Sequence, residues 1–109
     1  MAIKEFFPGI KKIRFEGPKS KNHLAFKWYN PKEEVAGRTM REHMRFSIAY
    51  WHTMKGNGAD PFGSPTWIRP WNSSGNPMRL AEDTMRAAFE FFTKLGVDYY
   101  CFHARDISP

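Results

Sequence analysis

The feature that most limits what this chain can become is the run from Asn76 to Gly96. Asn76-Pro77 reads as a helix N-cap followed by proline at the first helical position, where a missing N–H costs nothing. Met78, Ala81, Met85, Ala88, Phe89, Phe92 and Leu95 then recur at spacings of three and four, the period of one helical face. Glu82 and Asp83 lie toward the positive end of that helix, Lys94 lies at the negative end, and Gly96 stops it. An amphipathic helix of this length needs tertiary partners for its apolar stripe, and the flanking segments supply some of them.

Before the helix, Phe46 to Trp51 alternates, with Phe46, Ile48 and Tyr50 on one face and Ser47, Ala49 and Trp51 on the other. After it, Val97 to His103 puts Tyr99, Cys101 and His103 on one face and Tyr100 and Phe102 on the other. Strand, loop, helix and strand make a βαβ unit, which predicts an α/β fold with parallel strands joined by a right-handed crossover. Two strands alone leave two unpaired edges, and a parallel sheet needs both faces covered.

Residues 45–109 therefore read as the βαβ unit, and residues 1–44 as an N-terminal extension with short helices. In the extension, Pro8-Gly9 and Gly17-Pro18 are turn signals and no period of 3.6 is sustained. Asn30-Pro31 predicts a short helix over Pro31 to Ala36 that Gly37 stops, and Thr39 with Glu42 fits the capping box of a second. The glycine- and proline-rich stretch from His52 to Asn76 reads as one long loop, of the kind that in compact proteins is usually functional or disordered.

The net charge of +6 raises nucleic acid as a partner, but the distribution argues against it. Lys11, Lys12, Lys19, Lys21 and Lys27 are interspersed with apolar and turn residues, and no helix-turn-helix or zinc pattern aims them. Charges interrupt every apolar run near the N-terminus, so neither a signal peptide nor a membrane span is expected, and Cys101 alone makes no internal disulfide. A cytoplasmic protein is the expectation.

Two constellations carry chemistry. His103-Ala104-Arg105-Asp106 places a carboxylate three residues from an imidazole, a spacing that orients the ring for proton transfer near neutral pH and equally suits an ordinary hydrogen bond at a strand end. Trp51, Phe62, Trp67 and Trp71 either wall a sugar pocket, since pyranose rings present apolar C–H faces, or pack in a core. His23, His43, His52 and His103 are scattered, with no pair at metal-ligand spacing.

The runs FEGPKSKN, LAFKWYNP, Arg45-Phe46 with AYWHT (Ala49 to Thr53), GADPFG (Gly58 to Gly63), RPW (Arg69 to Trp71), AAFEFFTKLGV (Ala87 to Val97) and YCFHARD (Tyr100 to Asp106) follow one another in order. Through them nearly the whole chain resembles the N-terminal part of the longer-type xylose isomerases. The resemblance implies a (β/α)8 TIM barrel, of which this chain gives an irregular extension, the first strand, the first helix and the second strand. It implies interconversion of the aldose D-xylose with D-xylulose, and secondarily of D-glucose with D-fructose, by ring opening and a metal-assisted hydride shift.

Carried over by motif, His103 looks like the acid/base for ring opening, Asp106 like its orienting carboxylate and Trp51 like a wall of the sugar pocket. Phe62 looks like the ring that enters the active site of a neighbouring subunit in a homodimer or homotetramer. The family's two divalent cations, magnesium, manganese or cobalt, are held by residues farther along its sequence, so the resemblance implies no metal ligand here and an inactive isolated chain. Ala104 replaces the family's usual Asp, and Thr66-Trp67-Ile68 replaces a more polar segment. The competing expectation is a non-catalytic basic βαβ module that binds a sugar or a protein.

Overall fold

The computed structural model describes residues 4–109. Its first regular element departs from the expected helix over Pro31 to Ala36. Ala36 and Gly37 have φ of 52° and 78°, the consecutive left-handed residues of a type I′ turn, so the chain doubles back as a hairpin. Its strands are β1 (Glu34–Val35) and β2 (Arg38–Thr39), with Val35 opposite Arg38. Asn30 spends its side chain on the Lys32 amide, 3.1 Å away, as an Asx turn. The capping signal at Thr39 operates by half: the hydroxyl caps the Glu42 amide, while the Glu42 carboxylate takes the Thr39 hydroxyl and not the Thr39 amide that a full capping box would use. Thr39 Oγ1 accepts from the Glu42 amide at 3.3 Å and donates to Glu42 Oε1 at 3.1 Å, opening α1 (Met40–His43).

The next strand, β3 (Ser47–Ala49), is shorter than its alternation suggests, because the chain turns at Tyr50 into α2 (Tyr50–Lys55). Tyr50 and Met54, one helical turn apart, are 2% and 1% exposed. Burying both on one helical face wins over extending the strand. Tyr50 and Trp51 thus stand on a helix, not on opposite faces of a strand.

The long helix α3 (Pro77–Leu95) forms as its sequence predicts. Asn76 Oδ1 accepts from the Arg79 amide at 3.1 Å, and Gly96, at φ 80°, closes the other end with its N–H 2.9 Å from the Phe92 carbonyl. The chain then returns through β4 (Tyr99–Cys101) to α4 (Ala104–Ile107). β3 and β4 pair in parallel, with Ser47 opposite Tyr99, Ile48 opposite Tyr100 and Ala49 opposite Cys101.

The core lies where α2, α3 and β3 meet: Ile48, Tyr50, Met54, Ala87, Ala88 and Phe92 are buried there together with Trp71 and Phe6. Trp71 fixes the end of the long loop, its indole N–H donating to the Met54 carbonyl at 2.8 Å. Phe6 meets Trp71 edge-on at 6.2 Å. The N-terminal segment is held on α3 by Glu90, whose carboxylate accepts from the Phe6 and Phe7 amides at 2.9 and 2.7 Å. Lys94, one turn on, donates to the Phe7 carbonyl at 2.7 Å and to Glu90 at 3.2 Å. Burial alone would raise the Glu90 carboxyl, but these two amides and Lys94 outweigh it and hold the group below its ordinary range. Among the described residues, no helix is long and apolar enough to cross a membrane.

Candidate functional site

The parallel register decides what meets at the C-terminal ends of the two strands. Ala49 lies opposite Cys101, so the residues two positions on, Trp51 and His103, emerge side by side. Their rings are 4.5 Å apart between centroids and inclined at 43°. Helix α2 carries Trp51, and His103 is the cap residue of α4.

Asp106 binds the imidazole-bearing residue twice. Its Oδ2 accepts from the His103 backbone N–H at 2.7 Å and lies 3.2 Å from His103 Nδ1. The Asp106 side chain is 9% exposed, whereas that of His103 is 65% exposed. A buried carboxylate thus grips an imidazole that faces open space. When Nδ1 donates to the carboxylate, Nε2 is left as a proton acceptor directed away from that bond. Such a pair can take a proton from one oxygen and return it to another.

One further residue supports this arrangement. Lys55 Nζ donates to the Asp106 backbone carbonyl at 3.1 Å. Lys55 stands one turn beyond Trp51, so one face of α2 holds both ends of the His103–Asp106 turn. Sequence reasoning missed it, since the i, i+4 relation exists only once Trp51 is known to be helical. The buried Tyr50 hydroxyl has no hydrogen-bond partner among the described residues, and desolvation, aided by the Asp106 charge, pushes its pKa up to about 12. It is a neutral phenol at any physiological pH.

The other aromatic candidates go elsewhere. Trp71 is a core residue. Trp67 carries the Arg69 guanidinium 3.6 Å over its ring, and Arg69 Nε donates to the Gly56 carbonyl at 2.7 Å, which ties the loop to the end of α2. Gly58, at φ 84°, allows the loop to close on Thr66; a Cβ there would collide with Thr66 Oγ1. Phe62 is 97% exposed and is presented by a tight turn in which Asp60 Oδ1 accepts from the Phe62 amide at 2.8 Å. It is not brought to His103 of its own chain. Among the described residues, no three His, Cys, Asp or Glu side chains are grouped to hold a metal ion, so the residues present do not fit the two-cation centre that the resemblance implies.

No family model matches the chain. Individual relatives do. It is 58% identical over 109 residues to xylose isomerase 2 of Xanthomonas campestris, 54% over 105 residues to the xylose isomerase of Arabidopsis thaliana and 53% over 105 residues to that of a Thermoanaerobacter species. These matches take in 96% to 100% of the chain. Along nearly its whole length the chain is similar in sequence to xylose isomerases. It spans 22% to 24% of the length of these relatives, so what is shared is about a quarter of a xylose isomerase. The Xanthomonas match covers every residue, and Trp51, Phe62, His103 and Asp106 all lie within that xylose isomerase stretch.

Proposed function

We propose that the chain is the N-terminal segment of an aldose–ketose isomerase with a (β/α)8 barrel. In this reading residues 1–44 are the extension and residues 45–109 hold the first strand, the first helix and the second strand. The substrate is D-xylose, with D-glucose second, and the product is the corresponding ketose. The observation that carries the reading is the His103–Asp106 pair beside the Trp51 ring, at the strand ends where barrel enzymes hold their active sites.

The step this chain serves is ring opening. The C1 hydroxyl gives up its proton, the bond between C1 and the ring oxygen breaks as the C1 carbonyl forms, and the ring oxygen takes a proton. His103 Nε2 accepts and returns that proton while Asp106 fixes the tautomer through Nδ1. Trp51 offers an apolar wall for a sugar C–H face. Phe62, exposed at its turn, fits insertion into the site of a neighbouring subunit of a homodimer or homotetramer. The subsequent hydride shift needs groups that this chain does not supply, including the two divalent cations of the family. The isolated chain is therefore proposed to be inactive, and the whole protein to be cytoplasmic and to bind neither nucleic acid nor membrane.

The test is made in a complete isomerase carrying this segment. His103→Asn should slow turnover of the cyclic sugar by about a hundredfold, the usual scale of a lost general acid/base, and that of a substrate supplied already open far less. Equal slowing of both substrates would remove ring opening from His103. Ketose formation by the purified 109-residue chain alone would remove the claim of inactivity.

A further inference from the structure

The opposite end of the parallel pair holds a second concave site, independent of the sugar-site reading. A cleft of about 310 Å³ lies beside Arg41 of α1 and Leu95-Gly96 at the end of α3, the segments that lead into β3 and β4. The N-terminal segment forms its other walls. Lys12, Arg14, Lys32 and Arg41 line it, with no acidic side chain among the lining residues. Arg41 is bound to Asp98, at 2.9 Å through Nε. Among the described residues, Lys12, Arg14 and Lys32 are in no salt bridge. Phe15, 39% exposed, and Tyr29 supply aromatic wall.

Three unpaired cations on one concavity raise the local concentration of anions, and cationic side chains bind phosphate oxygens through charge-assisted hydrogen bonds. Aromatic rings beside them offer stacking to a planar group. The volume suits a small molecule and is too small for a folded partner. We infer that this cleft binds a nucleoside diphosphate-class ligand, with its phosphates on Lys12, Arg14 and Lys32 and its base against Phe15 and Tyr29.

The experiment is calorimetric titration of the 109-residue chain with ADP and, separately, with inorganic pyrophosphate, in chelator to remove metals. ADP should bind more tightly than pyrophosphate. Removing two charges with Lys12→Gln and Arg14→Gln should weaken ADP binding about tenfold or more, the worth of two charge-assisted contacts. Lys19→Gln with Lys21→Gln removes the same charge outside the cleft and should weaken it less than about twofold, through the general field alone. Equal weakening by the two pairs would overturn the site in favour of diffuse charge. Pyrophosphate binding as tightly as ADP would also overturn it, as would no binding of ADP at about millimolar concentration, the weak end of specific affinity. In those cases the cations merely offset the negative end of α3. Should the Lys12/Arg14 variant fail to fold, chemical-shift mapping of ADP on the unaltered chain decides. Shifts gathered on residues 12–15, 29–32 and 41 support the cleft, and shifts elsewhere refute it.

Discussion

The two sides of α3 have different fates. Thr84, Ala87, Ala88 and Phe92 are buried against α2, β3 and the N-terminal segment, where two alanines let the neighbouring backbone come close. Met78, Met85 and Phe89, on the adjoining stripe, remain about half exposed. Phe89 and Phe92 extend into an aromatic row with Tyr100 and Phe102, the last two stacked at 5.7 Å, and Phe89, Tyr100 and Phe102 are all open to solvent. A helix with one apolar stripe satisfied and another bare belongs to a larger assembly of layers than the described residues provide. The comparison teaches that the same apolar residue type packs a core on one side of the helix and is left facing solvent on the other.

The contrast is most easily broken at Trp71. Trp71→Ala removes a buried indole, its bond to the Met54 carbonyl and its contacts with Phe6 and Phe7, and should cost about 3–5 kcal/mol, the range for buried aromatic truncations. Urea unfolding followed by circular dichroism would measure it. A loss below about 1 kcal/mol, the scale of a surface substitution, would show that the buried side does not carry the fold.

Glu90 comes next. Glu90→Ala leaves the Phe6 and Phe7 amides and Lys94 without their shared acceptor and should cost about 2 kcal/mol, in line with hydrogen bonds to a charged group. Folding holds this carboxyl below its ordinary value of 4.5, so the unfolded chain takes up the proton first as pH falls. Its contribution is whole at neutral pH, declines below the ordinary value and is gone once pH passes beneath the folded-state value. Melting curves between neutral and acid pH should show this decline, and Glu90→Gln should flatten it. An unchanged acid slope in that variant would detach the latch from Glu90.

Gly96→Ala forces a Cβ onto a left-handed residue and should cost about 1 kcal/mol, with the nearest atom that Cβ would meet, a Lys12 side-chain carbon, still 3.6 Å away. The penalty is therefore conformational, and Gly96→Asn should cost less than Gly96→Ala, since asparagine tolerates that region better. Melting temperatures of the two variants separate these outcomes.

The smallest stability effect is expected on the bare side. Phe89→Ser should change unfolding free energy by less than about 1 kcal/mol, because its ring is half exposed, yet it should reduce self-association of the isolated chain. Sedimentation at a series of concentrations would sharpen the comparison. Unaltered association together with a large loss of stability would reverse the roles assigned to the two stripes.

The βαβ order, the limits of α3 and the capping at Thr39 were legible in the sequence because each is a local signal. A proline at the first turn, a glycine at the last and a hydroxyl three residues before a carboxylate act through neighbours in the chain. The His103–Asp106 spacing was legible for the same reason. The expected helix over Pro31 to Ala36 failed because Gly37 serves equally as a helix stop and as a left-handed hairpin residue, and the pairing of β1 with β2 settles which. Likewise, alternation from Phe46 to Trp51 could not reveal that Tyr50 and Met54 would be buried together, which shortens β3 and turns Trp51 onto a helix.

What the sequence by itself determined is the set of capped and periodic segments, the His103–Asp106 spacing and, through extended identity, the likeness to a stretch of xylose isomerases. What only the tertiary structure decided is which of those groups meet. The parallel register brings Trp51 to His103 across 51 intervening positions in the chain, α2 carries Lys55 to the Asp106 carbonyl, and Glu90 reaches back to Phe6 and Phe7. Such contacts depend on how whole elements bury their faces against one another, and no short-range pattern of residues encodes that choice.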